Sequence, residues 1–150
     1  MFTAEKTFQD WAVDEKEEHF ETKSEMVVVH TTAGGTRSAL RAAAILGDGL
    51  YSHIRLIAPR VVPYPLSLFT PPVSKEFTEH FFIDLVAGIP ANTQIDIRIC
   101  RDAVEMLRAA IRPGSLVVIG KRTHWWPGRE SALAKALRRM GHVVLLSEIY

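Results

Sequence analysis

Residues 26–46 read MVVVHTTAGGTRSALRAAAIL, and this stretch decides the fold class. Met26 to Val29 are apolar at every position, and three of the four are β-branched. A run without polar alternation is what a strand covered on both faces requires. TTAGG (31–35) interrupts it. RSALRAAAIL (37–46) then supplies good helix formers, with Thr36 as the expected N-cap and Gly47 as the stop. A doubly buried strand leading into a helix is the first half of a βαβ unit, and that unit belongs to parallel sheets.

The same alternation continues outward. HIRLIAP (53–59) reads as a second strand. RVVPYPLSLFTPP (60–72) is too proline-dense for a helix or a central strand. Val73, Phe77, Phe81 and Leu85 recur every four residues and predict a helix that buries this row. TQIDIRIC (93–100) alternates isoleucines with Asp96 and Arg98, which predicts an edge or half-exposed strand. Asp102 and Glu105 form a capping-box-like start for a helix with Val104, Leu107 and Ile111 on one face. SLVVI (115–119) is another buried-strand run. GKRTHWWPGRES (120–131) reads as a loop, ALAKALRRM (132–140) as a helix and HVVLLSE (142–148) as a last strand. The order is β-α-β-α-β-α-β-α-β. It predicts an α/β, doubly wound, Rossmann-like parallel sheet of five strands, with helices on both faces and right-handed crossovers.

Ahead of this domain, 25–150, residues 1–24 carry seven acidic side chains against three lysines. They read either as an acidic arm or as a short helix with Phe8, Trp11 and Phe20 on a weak apolar face. The chain of 150 residues has a formal net charge of +1, so no global field draws it to nucleic acid or to an acidic membrane. Cys100 is the lone cysteine, which rules out an intrachain disulfide and a Cys/His zinc cluster. With no apolar leader at the N-terminus and no run of spanning length, the expectation is a cytoplasmic protein that enters no membrane.

The strand order, the TRSALRAAA helix (36–44) and the pair VVIG (117–120) and ESALAKALRRMGHVVLL (130–146) make the chain resemble the universal stress protein family. The resemblance covers about residues 25–150. It implies a sheet ordered 3-2-1-4-5, and commonly a dimer formed by pairing of last strands. Some members bind ATP and others do not. ATP-binding members have an Asp at the end of the first strand, where this chain has Thr31. They also carry G-x2-G-x9-G-[ST] after the fourth strand. Gly120 matches the first glycine and Ser131 the hydroxyl position. Thr123 and Glu130 replace the other glycines, and the interval is three residues short.

The resemblance and the strand-end rule together place a candidate anion or nucleotide crevice at the switch point. Its residues are Thr31, Gly34 and Gly35 on one wall and Gly120, Lys121, Arg122, Gly128 and Ser131 on the other. The glycines would let backbone approach a phosphate, helix N-termini near Thr36 and Ser131 would offer N–H groups, and the cations would add charge. Against this, Glu130 brings a negative charge to the helix start. Trp125 and Trp126 would either stack on a base or cover the sheet end. AGGTRS (33–38) has the spacing of an S-G-G-x-D-[ST] pyrophosphatase-type loop but lacks its serine and aspartate. His30 could act as a switch or an acid/base, or simply be held by a hydrogen bond. Cys100 stands beside Arg101, which could lower its pKa. No spacing of histidines and carboxylates points to a metal.

VVLL (143–146) is apolar throughout, yet the resemblance makes it an edge strand. Pairing of strand 142–148 with its twin would cover it, and the acidic arm is the other candidate cover. The expectation is a non-catalytic, homodimeric regulatory or stress-response module with ATP binding lost or altered and no resident cofactor. One alternative is a member that binds ATP or another adenine nucleotide through a rearranged loop. The other is an interaction module that meets a protein partner through the acidic arm and the tryptophan loop.

Overall fold

The computed structural model describes residues 26–47, 53–69, 73–89, 92–122 and 128–149. The acidic arm 1–24 and Trp125–Trp126 lie outside these residues. The elements are β1 (Met26–Val29), α1 (Ala33–Gly47), β2 (His53–Val61), α2 (Lys75–Val86), β3 (Asn92–Cys100), α3 (Ala103–Ala110), β4 (Leu116–Arg122), α4 (Arg129–Arg139) and β5 (Val143–Ile149). All five strands run parallel in the order β3-β2-β1-β4-β5, as expected.

The two-residue period of a strand sorts the core into two layers. Met26, Val28, Leu56, Ile95, Ile97 and Val118 face one side, where α1 and α2 cover them with Leu40, Ala43, Phe82 and Leu85. Val27, Val29, Ile57, Val117, Ile119 and Val144 face the other, under Leu107 of α3 and Ala134 and Leu137 of α4. The continuous apolar runs of β1 and β4 follow from this two-sided cover.

Local chemistry explains most boundaries. The Asp102 carboxylate accepts the Glu105 N–H at 3.1 Å and starts α3. Ser74 does the same for α2, accepting from the Phe77 N–H at 3.2 Å. Gly88, Gly114 and Gly141 end their helices or turns at positive φ, where other residues are strained.

Three expectations need correction. The helical face of α2 is Thr78, Glu79, Phe82 and Leu85, whereas Phe77 is 64% exposed. Steps of four residues advance 400°, so a period-four row drifts around the helix and cannot stay buried along its length. β3 is an edge strand, but Asp96 is fully buried. It lies under α3 in an ion pair with the equally buried Arg55 at 3.3 Å, and it accepts from Arg98 Nε at 3.1 Å. Arg55 also donates to the Ala110 carbonyl at 2.7 Å. A buried charge must be paired, and here three elements supply the partners. Finally, GKR (120–122) belongs to β4 and not to a loop. The strand extends because Ser147, Glu148 and Ile149 of β5 lie opposite these three residues and satisfy their backbone.

Candidate functional site

β1 pairs with β2 on one side and β4 on the other, so the strand order reverses between β1 and β4. The expected crevice lies at the C-terminal ends of these two strands. Thr31 and Thr32 follow β1, and α1 starts at once, at Ala33 and not at Arg37. The cap is Thr32 and not Thr36. The Thr32 hydroxyl accepts the Gly35 N–H at 3.1 Å, and its carbonyl accepts the Thr36 N–H at 2.8 Å. Two glycines would ordinarily argue against a helical first turn. Contact with β4 overrides that preference.

Gly35 lies directly on Gly120. A Cβ on Gly120 would stand 1.8 Å from the Gly35 carbonyl oxygen. A Cβ on Gly35 would stand 3.1 Å from the Gly120 carbonyl oxygen and 2.9 Å from the Thr32 hydroxyl. Thr31 closes the same seam by donating its hydroxyl to the Gly120 carbonyl at 3.3 Å. These two glycines therefore serve a helix-to-strand contact. Gly34, next in the turn, is exposed.

Thr36 is buried inside α1. Its hydroxyl accepts the Thr31 N–H at 3.1 Å and shares a 2.8 Å hydrogen bond with His30 Nδ1. The His30 ring stands edge-on to Phe81 and Phe82, with centroids 5.8 and 4.9 Å away. Burial, and secondarily the charge of Arg60, lowers its pKa from 6.5 to about 4. His30 is thus a neutral, hydrogen-bonded joint between β1, α1 and α2 at physiological pH.

The other wall is built differently. Lys121 is half-buried and lies opposite Glu148, and Arg122 lies opposite Ile149. Gly128 is the N-cap of α4 and offers no side-chain bond; Ser131 sits in that helix's first turn. A Cβ on Gly128 would stand 2.7 Å from Glu130 Oε2. The Glu130 carboxylate therefore folds back over the start of its own helix, where the helix dipole favours an anion. Among the described residues, no hydrogen bond or ion pair joins Gly128 or Ser131 to the Thr31–Gly35 turn. The structure brings together Thr31, Gly35 and Gly120; Gly34 precedes Gly35 in the same turn, Lys121 and Arg122 continue β4 beyond Gly120, and Gly128 and Ser131 begin α4. Ser38 and Ser147, 2.6 Å apart at their hydroxyls, tie α1 to the end of β5.

Cys100 departs from the expectation. Burial, then the charge of Asp102, pushes its thiol pKa up. Arg101 is occupied elsewhere, donating to the carbonyls of Val62 at 3.1 Å and Leu66 at 2.7 Å and lying 4.1 Å over the Tyr64 ring. Sequence reading missed a groove of about 360 Å³ between the C-terminal ends of β2 and β3, the start of α2 and the segment before it. Arg60 and Glu79 line it among apolar walls. The signal was faint, a glutamate on the inner face of α2, and the period-four reading placed that face elsewhere.

No known family model matches the chain, and no curated protein matches it. Among solved structures it is similar to the minor L-lactate dehydrogenase from Enterococcus mundtii in a ligand-bound form, at 16% identity. The alignment covers 84% of this chain but only 37% of that enzyme, with a TM-score of 0.35. That likeness adds nothing to the sheet order.

Proposed function

We propose that the chain is a non-catalytic, universal-stress-protein-like module that works as a homodimer and has lost ATP binding at the switch point. The observation that carries the loss is the seam between Gly35 and Gly120. Gly35 and Gly120, two of the four glycines that would admit a phosphate, are spent on each other. Thr31 bonds across the seam and brings no acid to a ribose or a metal. The anion-favouring start of α4 already holds Glu130.

The dimer reading rests on β5, which among the described residues pairs only with β4. Val144 is 5% exposed and belongs to the core, but Val143 is 59% and Leu145 38% exposed on the opposite face. Ile45, 77% exposed, lies two turns from Ser38 on the same side of α1, and Ser38 touches β5. That spacing sets Ile45 level with Val143 and Leu145, a patch that flanks an open strand edge. A second copy related by a two-fold axis would cover both the patch and the backbone.

Two measurements test this. Millimolar ATP, ADP or AMP leaves the melting temperature unchanged; a ligand at a hundred times its Kd would add about 2.7 kcal/mol, so a shift returns the crevice to use. Sedimentation gives a dimer for the native chain and a folded monomer for Val143→Lys. A monomeric native chain sinks the dimer, as does a Val143→Lys variant of unchanged mass.

A further inference from the structure

The groove beside α2 is lined by two opposite charges. Glu79 is 6% exposed, faces the groove and sits on the inner side of α2. Arg60, at the end of β2, lines the same space. Among the described residues, neither side chain has a hydrogen-bond or ion-pair partner. Lys75 also lines the groove and already has a partner of its own. The remaining surface is mostly apolar, supplied chiefly by Leu68, Val73, Ile97 and Ile99, with Ser74 and Thr78 adding two hydroxyls. A ligand cation beside Glu79 and a ligand anion beside Arg60 would each form a charge-assisted contact in place of water.

We propose that this groove binds a small zwitterion with an apolar body, of the class of the apolar amino acids. Its ammonium meets Glu79, its carboxylate meets Arg60, and its side chain lies against Leu68, Val73, Ile97 and Ile99. Charge selects the class. An apolar acid would satisfy Arg60 but face Glu79 unpaired, and an apolar amine would do the reverse. The volume of about 360 Å³ is at the small end of the range for ligand sites, which suits a single amino acid and not a nucleotide. The place also fits, because the groove opens at the C-terminal ends of parallel strands, displaced from the closed switch point toward the β3 edge. Phe69, 94% exposed at the rim, would gain cover from a bound ligand.

The test is calorimetric titration of the full chain with L-leucine and L-phenylalanine, each beside its deaminated acid and its decarboxylated amine. The amino acids bind, and each analogue binds at least about tenfold more weakly. Glu79→Gln weakens the amino acid by a similar factor but leaves the deaminated acid unchanged or better bound. Arg60→Gln shows the mirror pattern with the amine. Absence of heat from every probe at millimolar concentration overturns the proposal. Equal binding of the amino acid and both analogues overturns it too, since the two charges would then read nothing. The analogue series uses only the native chain, so a variant that misfolds does not rescue the idea. Neither outcome bears on nucleotide binding or on the dimer.

Discussion

Replacing Gly120 with alanine tests the seam that closes the switch point. The new Cβ would lie 1.8 Å from the Gly35 carbonyl oxygen, 2.2 Å from its carbon and 2.5 Å from its Cα, whereas ordinary contact begins at 3.4 Å. Every clashing atom is backbone, so no side chain can swing away. The first turn of α1 must withdraw by roughly 1.5 Å, and a gap of that size forfeits much of the dispersion contact it opens. The retreat also breaks the 3.3 Å bond from Thr31 to the Gly120 carbonyl and loosens Ala39 and Leu40 in the core. Overpacking of this kind costs about 3 kcal/mol. For a chain of this length, that lowers Tm by about 6–12 °C. Gly34→Ala is the matched control. Gly34 is exposed in the same helix, without positive φ, so alanine there gains helix propensity and raises stability by about 0.5 kcal/mol. Urea unfolding of the three proteins, followed by circular dichroism, reads both signs. If Gly120→Ala unfolds at the native midpoint, α1 and β4 are not in contact, and the reason given for lost nucleotide binding goes with them.

His30 supplies a pH signature. Its folded pKa of about 4 lies below the unfolded value of 6.5, so the unfolded chain binds the extra proton between them. The stability tied to this group is present above pH 6.5 and is lost as pH falls toward 4. Between pH 7.5 and 5 the loss is about 2 kcal/mol. His142 shifts in the same direction, so the quantity to measure is the difference in pH slope between the native chain and His30→Gln; parallel slopes would contradict the buried neutral ring. Asp96→Asn breaks the buried pair with Arg55 and costs about 3–5 kcal/mol, whereas replacing both residues with apolar ones of similar size recovers most of it. A double variant as unstable as the single one would show that the site needs charge and not just pairing.

None of the described helices is long and apolar enough to cross a membrane. Two buried polar pairs are structural, Arg55–Asp96 under α3 and His30–Thr36 behind the seam. Both sit where strands end or meet a helix terminus, so each fixes one element against another. The exposed apolar surface has a different distribution. Val143, Leu145 and Ile45 lie along the β5 side, and Phe69 and Phe77 lie at the β3 side near the groove. An edge strand with apolar neighbours calls for a partner, and a groove lined by opposite charges calls for a ligand, so the two sides of the sheet pose separate questions.

What the sequence determined by itself was whatever a local period or a local cap can encode. The unbroken apolar runs of Met26–Val29 and SLVVI meant two-sided cover, and the alternation of strands with helices meant a parallel sheet. Asp102 announced α3 because a cap needs only its next three residues. What only the tertiary structure decided were features shared by residues far apart in the chain. Thr36 looked like a cap, but packing of Gly35 on Gly120 started the helix earlier and buried Thr36 within it. Lys121 and Arg122 looked like loop cations, but backbone pairing with β5 made them strand. Asp96 looked solvated on an edge strand, but Arg55 and α3 enclosed it. The glycines of the crevice carried the same letters for either role, ligand approach or helix contact. A glycine records only that something must come close, and which thing comes close is settled by a partner 85 residues away.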